Sequence, residues 1–367
     1  MSKLAIVVVG GDAATAAEGI PIVDELRKRG HSVRWIMDQE GEGRKILEKR
    51  QLEYELYDDA TPRDKFDLIL VLTSATAVRA QHVWTCYGRV CAKPVVWYED
   101  FPGTAHVEAV RSLQPDTLMV INEAAADIAR QIRPLVPIHV VGKPSFESRA
   151  DMTGPVTSLR MQARGTLGVD EHDFVVVYWS GGETIERVEK QLAALRDVRL
   201  GMARMVLAPR IHPKLDRWGA GTQARLIEYA RTGKAETFSW HSTEADTVNA
   251  AADVMVCDAG CTEAMMGALM GIPTIITRFP DDYARLTARG LPGGVPMVVT
   301  CGAVLSAESG PQLVYLLSIL AGIWQEYDSW EKLLTQCFLQ SRPLVSLLEP
   351  GAAVRIAKVV EGYRGGL

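Results

Sequence analysis

Short, continuously apolar segments alternate with longer amphipathic segments along most of the chain. Residues 5–9, 174–179 and 253–257 are rich in β-branched and other apolar side chains, a composition typical of strands that are buried on both faces. Between such segments lie stretches such as residues 16–29, in which apolar side chains recur at helical spacing. This regular alternation predicts parallel sheets whose strands are joined by right-handed helical crossovers.

Twelve segments have the character of strands, six before residue 145 and six after residue 172, so we expect two sheets in two α/β domains. The predicted strands are residues 4–9, 32–37, 66–72, 94–98, 117–121, 138–141, 174–179, 204–208, 236–239, 253–257, 274–277 and 297–300. From residue 311 the pattern becomes helical. We therefore predict two tandem Rossmann-like domains, residues 1–150 and 151–345, and a C-terminal helix in residues 346–367 that is able to pack across both.

Composition and charge narrow the class of protein. The 367 residues are 47% hydrophobic and 23% charged, which is typical of a soluble globular protein and not of a disordered or fibrous one. The 40 basic and 45 acidic residues give a net charge of -5. General binding of nucleic acid is therefore not expected, because a polyanion binder usually carries an excess of basic residues.

Neither the N-terminal segment nor the cysteines indicate export. The apolar run of residues 4–9 stops at Gly10-Gly11, so it is too short to cross a membrane and lacks the layout of a signal peptide. The six cysteines form no Cys-x-x-Cys pair, so reduced thiols are expected and a structural zinc site is not. We expect a cytoplasmic protein without a transmembrane segment.

The most informative stretch, residues 251–277, has the pattern of a strand, a tight turn, a helix and a second strand. Gly260 permits a ligand to approach the backbone closely, and free N–H groups at the start of the following helix can bind a phosphate. Glu263, in the first turn of that helix, can accept hydrogen bonds from two vicinal ribose hydroxyls. The alternative is local: Asp258 or Thr262 caps the helix, and Glu263 only complements its dipole.

This stretch resembles the donor-binding motif of GT-B-fold glycosyltransferases and of the related non-hydrolysing UDP-GlcNAc 2-epimerases. The matching residues are Ala252-Asp253, Asp258-Ala259-Gly260, Glu263 and Gly271-Ile272-Pro273. The resemblance implies a GT-B architecture, in which two Rossmann-like domains enclose a cleft. It also implies that Gly260, Cys261 and Thr262 hold the diphosphate of a donor and that Glu263 holds its ribose.

Three further places on the second domain are similar to the same family. Arg210-Ile-His212-Pro follows a predicted strand, and the resemblance implies that Arg210 and His212 neutralise the leaving diphosphate. Gly181 and Gly182 are similar to its glycine-rich loop beside the phosphates, and Arg278 is similar to an arginine after the corresponding strand of the epimerases. The plainer alternative for Arg210 and His212 is an arginine and a histidine on a solvated loop, and the alternative for Gly181 and Gly182 is a Gly-Gly turn that arises by chance.

On the first domain, Gly10 and Gly11 resemble the family's opening glycine-rich loop on the acceptor side. Many members carry a catalytic histidine there, whereas this chain has Asp12 in the neighbourhood. The candidates for the catalytic base are therefore Asp12 and the pair Glu99 and Asp100, which follow a strand whose carboxyl end is expected at the cleft. His106 and Glu123 are weaker candidates, and an ordinary solvated loop acid is the alternative for each carboxylate.

The leading hypothesis is a glycosyltransferase that moves a sugar from a nucleotide-sugar, most simply a UDP-sugar, to an acceptor hydroxyl. The Walker A motif, a GxGxxG after the first strand and the Asp-x-Asp of metal-dependent transferases are all missing. We therefore expect no metal and no cofactor apart from the UDP-sugar as co-substrate. The acceptor can be a small molecule, a glycan or a modified base, and a homodimer is left open.

Two other functions compete with this hypothesis. A UDP-GlcNAc 2-epimerase-like enzyme would use the same architecture without an acceptor, and the Arg210 turn and Arg278 favour it. A non-catalytic two-domain protein that closes on a small ligand is the second alternative.

Overall fold

The computed structural model contains two parallel β-sheets, each covered by helices. The structure describes residues 3–39, 41–57, 65–75, 77–154, 157–181, 184–198, 204–240 and 243–363. Sheet A has the strand order β3-β2-β1-β4-β5-β6-β7, and sheet B has the order β10-β9-β8-β11-β12-β13. The strands of sheet A are β1 Ala5–Gly10, β2 Ser32–Met37, β3 Glu55–Leu56, β4 Leu68–Leu72, β5 Val95–Glu99, β6 Thr117–Val120 and β7 Ile138–Val140. Those of sheet B are β8 Asp173–Trp179, β9 Arg204–Arg210, β10 Glu236–Thr237, β11 Val254–Asp258, β12 Thr274–Thr277 and β13 Leu305–Ala307.

In both sheets the first strand of the sheet lies in the interior, and the chain then builds outward on either side of it. β1 pairs with β2 and β4, and β8 pairs with β9 and β11, all in parallel. The strand order therefore reverses beside β1 and beside β8. In open α/β sheets, ligands bind beyond the carboxyl ends of the strands at such a reversal.

Helices connect the strands and supply the outer layers of each sheet. The α-helices are α1 Ala13–Lys28, α2 Gly43–Lys49, α3 Arg79–Val90, α4 Glu123–Ile132, α5 Pro144–Glu147, α6 Thr157–Leu167, α7 Ile185–Arg196, α8 Thr222–Arg231, α9 Ala245–Ala251, α10 Glu263–Leu269, α11 Pro280–Ala288, α12 Met297–Thr300, α13 Gly310–Trp324, α14 Tyr327–Gln340 and α15 Ala352–Gly362. Side-chain caps begin several of them: Asn122 accepts from the N–H of Ala125, and Thr184 accepts from that of Arg187. Such a cap satisfies an N–H group that has no partner within the helix.

The core strands are buried on both faces, as their sequence predicts. All five residues of β4 and all five of β5 are buried, and an apolar cluster around Phe174, Val176 and Tyr178 lies at the centre of the second unit. Small residues bring α10 close to sheet B. A Cβ atom added to Gly267 would lie 2.5 Å from Thr274 Oγ1 and 2.7 Å from Met255 Sδ, so only glycine fits there.

The chain divides into two compact units, of which the first comprises Met1–Asp151, Arg285–Met297 and Ser346–Leu367 and the second comprises Met152–Ala284 and Val298–Val345. The C-terminal helix α15 belongs to the first unit, where Glu361 contacts Arg29 Nη1 at 3.1 Å and His31 Nε2 at 3.0 Å. Arg285–Met297 differs from the predicted boundaries, which assigned it to the domain of residues 151–345. It joins the first unit because Arg111 donates to the carbonyl of Ala288, a contact that the local sequence pattern does not reveal.

Two local predictions differ from the structure. The predicted strand at residues 297–300 is wrong: this segment is the short helix α12, and the last strand of sheet B is Leu305–Ala307. A short apolar run cannot be assigned to strand or buried helix by periodicity alone. Strand β3 was not predicted, because it has only two residues and both are exposed.

Candidate functional site

Most of the predicted donor-side residues follow directly after strands of sheet B. β8 ends at Trp179, β9 at Arg210, β11 at Asp258 and β12 at Thr277. Trp179 pairs with Arg210 on one side and with Cys257 on the other. Since all these strands are parallel, their final residues and the loops that follow lie at one edge of the sheet. Gly182 lies outside the described residues.

Asp258 holds the loops at this edge together. Its carboxylate is buried and accepts hydrogen bonds from the N–H of Gly181 at 3.0 Å and of Ala259 at 2.7 Å. Arg187 bonds both Asp258 and Asp282, and so ties the end of β11 and helix α11 to helix α7. Asp258 is therefore an organising residue of the edge and does not act as the cap of α10.

The turn between β11 and α10 leaves its backbone accessible. Gly260 is exposed and has a φ of 137°, a conformation that side-chain-bearing residues rarely adopt. Cys261 N–H donates to the carbonyl of Asp258 at 3.0 Å, which closes the turn. Thr262 occupies the N-cap position of α10 without a side-chain cap. Cys261, Thr262 and Glu263 are all half-buried, so their outer faces remain accessible.

Trp179, Asn249 and Glu263 form a chain of side-chain hydrogen bonds. The indole Nε1–H of Trp179 donates to Asn249 Oδ1 at 2.9 Å, and Asn249 Nδ2 donates to Glu263 Oε2 at 2.6 Å. Asn249 lies on α9 and is fully buried, whereas Trp179 and Glu263 are half-buried. The sequence pattern identified Glu263 but not Asn249 or Trp179, because nothing in their local sequence marks them as its partners.

Arg210 lies on the same indole. Its guanidinium is 5.0 Å from the centre of the Trp179 ring, within the range of a cation–π interaction, and its Nη1 donates to the carbonyl of Trp240. Burial lowers the pKa of Arg210, and the negative charges of Glu263 and Glu244 raise it. An arginine remains charged under such conditions, so this edge carries a positive charge beside Glu263.

His212 and Arg278 already have protein partners. The backbone N–H of His212 donates to Ser180 Oγ at 2.8 Å, and its Nδ1 accepts from the N–H of Lys214 at 3.1 Å. Arg278 is buried, pairs with Glu308 at 2.5 Å and lies 4.3 Å from the centre of the Tyr283 ring. His212 therefore connects the loops after β8 and β9, and Arg278 connects the loop after β12 to Glu308.

In the first unit, Gly10 and Gly11 form the tight connection between β1 and α1. The N–H of Gly11 donates to Thr15 Oγ1 at 2.9 Å, and a Cβ atom at Gly11 would lie 2.3 Å from that of Ala77. Asp12 follows at the carboxyl edge of sheet A. It is half-buried, and its Oδ2 accepts a hydrogen bond from the hydroxyl of Ser74.

Glu99 and Asp100 are both buried, in contrast to Asp12. Glu99 Oε1 accepts from the N–H groups of Gly103 at 2.8 Å and Ala105 at 3.0 Å, so it shapes the loop after β5. Burial raises the pKa of Glu99 to about 7. Burial also raises the pKa of Asp100 to about 6, although the nearby Lys143 lowers it. The structure thus distinguishes one accessible carboxylate from two enclosed ones.

His106 and Glu123, the two weaker candidates for the catalytic base, have different surroundings. His106 is buried, and neither of its ring nitrogens has a hydrogen-bond partner among the described residues. Burial, with the charges of Arg133 and Arg111, lowers the pKa of His106 to about 3. Glu123 is exposed at the start of α4 and pairs with Arg130 at 3.4 Å.

Three further properties concern metal ions, membranes and the cysteines. Within the part of the chain that the structure describes, no three His, Cys, Asp or Glu side chains are grouped so that they could hold a metal ion. The same residues include no helix with both the length and the apolar character needed to cross a bilayer. All six cysteines are free thiols.

No family model and no curated protein sequence matches this chain. Solved structures, however, share its fold over almost its entire length. They include a putative UDP-N-acetylglucosamine 2-epimerase from Listeria monocytogenes, which has a TM-score of 0.67 and 12% identity and covers 99% of this chain and 97% of its own. A glycosyltransferase from Rickettsia africae has a TM-score of 0.62 and 11% identity, with coverages of 100% and 99%. Anabaena Alr3699/HepE in complex with UDP and glucose has a TM-score of 0.63 and 12% identity, with coverages of 99% and 100%.

The fold is therefore the GT-B fold, which is built from two Rossmann-like α/β units. This confirms both the fold class and the structural resemblance that the sequence motifs indicated. At identities of 11% and 12% the likeness concerns the fold, and the activity must be argued from the site.

Proposed function

We propose that this protein is a nucleotide-sugar enzyme and, most specifically, a glycosyltransferase that uses a UDP-sugar. The observation that carries the proposal is the arrangement at the carboxyl edge of sheet B. There the carboxylate of Glu263, the guanidinium of Arg210 and the exposed turn at Gly260 occur together. A nucleoside diphosphate needs such a combination: an acceptor for its ribose hydroxyls, and donors with positive charge for its phosphates. The complex of HepE with UDP and glucose, on the same fold, supports UDP as the nucleotide.

The residues of the second unit would divide the work of binding the donor. Glu263 would accept hydrogen bonds from the ribose hydroxyls, and the backbone at Gly260, Cys261 and Thr262 would face the diphosphate. Arg210 would balance the negative charge that develops on the diphosphate as its bond to the sugar breaks. The positions of Gly181 and His212 are set by Asp258 and Ser180, so their contribution would be to shape the loops around the phosphates. Arg278 would act in the same indirect way through its loop.

For the catalytic base we propose Asp12. It is the accessible carboxylate of the three candidates and lies at the carboxyl edge of sheet A, where the hydroxyl of Ser74 orients it. Asp12 would take the proton of the acceptor hydroxyl while that oxygen bonds to the sugar and the UDP departs. Glu99 is engaged by two backbone N–H groups, and Asp100 is enclosed.

Calorimetric titration with UDP, CDP and GDP tests the donor site. We expect UDP to bind most tightly, and we expect Glu263→Gln to weaken its binding at least tenfold, because a charged hydrogen-bond acceptor is lost. Glu123→Gln is the matched control, since Glu123 is exposed on α4 of the other unit. A wild-type protein that binds none of the three nucleotides would overturn the proposal.

Turnover of UDP-sugars tests the reaction. We expect release of UDP to require an acceptor, and we expect Asp12→Asn to lower kcat by about 10²-fold to 10⁴-fold while the Kd for UDP stays unchanged. The alternative activity is epimerisation, which the fold of the Listeria protein favours. Nuclear magnetic resonance of UDP-GlcNAc incubated without an acceptor distinguishes the two, because only an epimerase forms the C2 epimer. Binding without either reaction would indicate a non-catalytic ligand-binding protein.

A further inference from the structure

The side chain of Asn249 forms its hydrogen bonds with residues outside its own helix, α9. Its side chain is fully buried at the carboxyl end of α9, and both of its polar atoms are engaged by side chains from other elements. An indole N–H can only donate, so Asn249 Oδ1 must be the atom that faces Trp179. The orientation of the amide is thereby determined, and Nδ2 must be the atom that faces Glu263.

An amide donor at this position restricts the geometry of Glu263. Asn249 Nδ2 lies 2.6 Å from Glu263 Oε2, at the short end of the range for N–H···O hydrogen bonds. The bond anchors one carboxylate oxygen and so limits the rotamers open to Glu263. A long acidic side chain at a half-buried edge would otherwise lose considerable entropy on becoming ordered against a ligand.

The same indole also orients Arg210. Trp179 uses its N–H edge for Asn249 and its ring face for the guanidinium of Arg210, which lies 5.0 Å from the ring centre. Trp179 and Arg210 are paired across β8 and β9, so the sheet register determines their proximity. One side chain thus connects the cation and the carboxylate of the proposed site.

We propose that Asn249 and Trp179 are positioning residues that preorganise Glu263, and that Asn249 in this way sets the selectivity of the site for ribonucleotides. This inference rests on the proposed nucleotide-binding function. Discrimination at the ribose then depends on a buried amide that does not touch the ligand. Replacing Asn249 takes away this one restraint on Glu263 and leaves Arg210 and the turn at Gly260 in place.

The test compares UDP with 2′-deoxy-UDP, by calorimetry on the full chain. The wild type is expected to bind UDP about tenfold more tightly, since a hydrogen bond to a charged group is lost with the 2′-hydroxyl. In Asn249→Ala the affinity for UDP falls and that for 2′-deoxy-UDP changes little, so the ratio approaches one. Equal losses for the two ligands, with the ratio retained, would show a structural role only and would overturn the inference.

Trp179→Phe provides a second variant, which matters if Asn249→Ala does not fold. Phenylalanine keeps a ring face for Arg210 but has no N–H to orient the amide, so the ratio should again approach one. The two substitutions should be non-additive, because they break the same chain of hydrogen bonds. Trp330→Phe is the matched control: Trp330 is buried in the same unit, and its Nε1 has no partner among the described residues. The ratio should be unchanged there.

The outcomes separate this inference from the proposed function. If the wild type does not bind UDP, both fail. If it binds UDP but does not discriminate against 2′-deoxy-UDP, the nucleotide site stands and the role of Asn249 is refuted. If the wild type discriminates and the Asn249→Ala and Trp179→Phe variants discriminate equally well, Glu263 does not need this positioning, and only the inference is lost.

Discussion

The ammonium of Lys143 lies 2.7 Å from the carboxylate of Glu18, and both side chains are almost completely buried in the first unit. Ser145 also donates to Glu18, through its N–H at 3.0 Å and its hydroxyl at 2.5 Å. Lys143 donates in addition to the carbonyl of Asp100 at 3.0 Å. The ion pair therefore joins α1, the loop after β5 and the start of α5 into one buried polar cluster.

Removal of the cation from this cluster should destabilise the protein strongly. Lys143→Met leaves the buried carboxylate of Glu18 without its counter-charge, and such a loss costs about 3–5 kcal/mol of unfolding free energy. Urea unfolding measures the effect. Lys190→Met is the matched control, because Lys190 is exposed and pairs with exposed Asp281; it should change stability by less than about 1 kcal/mol. Equal stabilities for the two variants would contradict the prediction.

The loop at Gly181 should not tolerate a side chain. A Cβ atom there would lie 2.0 Å from Asp258 Oδ2, so Gly181→Ala must displace either the loop or Asp258. We expect a loss of about 1–3 kcal/mol in unfolding free energy and a weaker affinity for UDP. Gly165→Ala is the control: no atom lies within 4 Å of its added Cβ, and it lies within α6. That change should stabilise the protein by about 0.5–1 kcal/mol.

Glu99 should make the stability of the protein fall as the pH rises towards neutrality. Its pKa in the folded protein is about 7, above the ordinary value of 4.5, because of burial. The folded state therefore holds the proton more tightly, and the stabilisation present at pH 5 is lost as the pH rises through 7. Glu99→Gln, which stays neutral, should lack this loss. Urea unfolding of both proteins at pH 5 and pH 8 measures the difference, and parallel changes in the two would show that Glu99 is not its source.

His106 should have the opposite dependence on pH. Its pKa is lowered to about 3 in the folded protein, so the folded state resists protonation. Protonation of His106 therefore does not reduce the free energy of unfolding above pH 6.5. Below pH 6.5 the free energy of unfolding falls progressively, down to about pH 3. His106→Leu should be nearly neutral at pH 7, since the ring nitrogens have no partners among the described residues. At pH 4.5 it should be more stable than the wild type.

The control for His106 is His172→Leu, because the side chain of His172 is 87% exposed. Its stability should follow that of the wild type at both pH values. If His106→Leu lost as much stability as the wild type on acidification, the buried imidazole would not be responsible for the effect.

Strand and helix periodicity was enough to predict the two parallel sheets. A continuous β-branched run must be buried on both faces, and that requires helices on either side of a parallel sheet. The predicted strands mostly agree with those observed, and the failure at residues 297–300 occurred where three apolar residues and a threonine satisfy a strand and a helical turn equally well. Glu263 and Gly260 could also be proposed as site residues from the sequence, because their chemistry and spacing lie within one continuous stretch.

Hydrogen bonds between residues far apart in the sequence could not be predicted from local periodicity and spacing. Asn249 meets Trp179 across 70 residues of sequence, and Ser145 meets Glu18 across 127. Glu99 ends β5, at the edge where a predicted base should lie, yet two backbone N–H groups of the following loop donate hydrogen bonds to it. The sequence by itself determined the two α/β units and the position of the candidate site at the strand ends, because these follow from local periodicity and backbone geometry. Only the tertiary structure decided which carboxylate is accessible and which side chains orient Glu263, because burial and hydrogen bonding depend on neighbours that the chain brings together by folding.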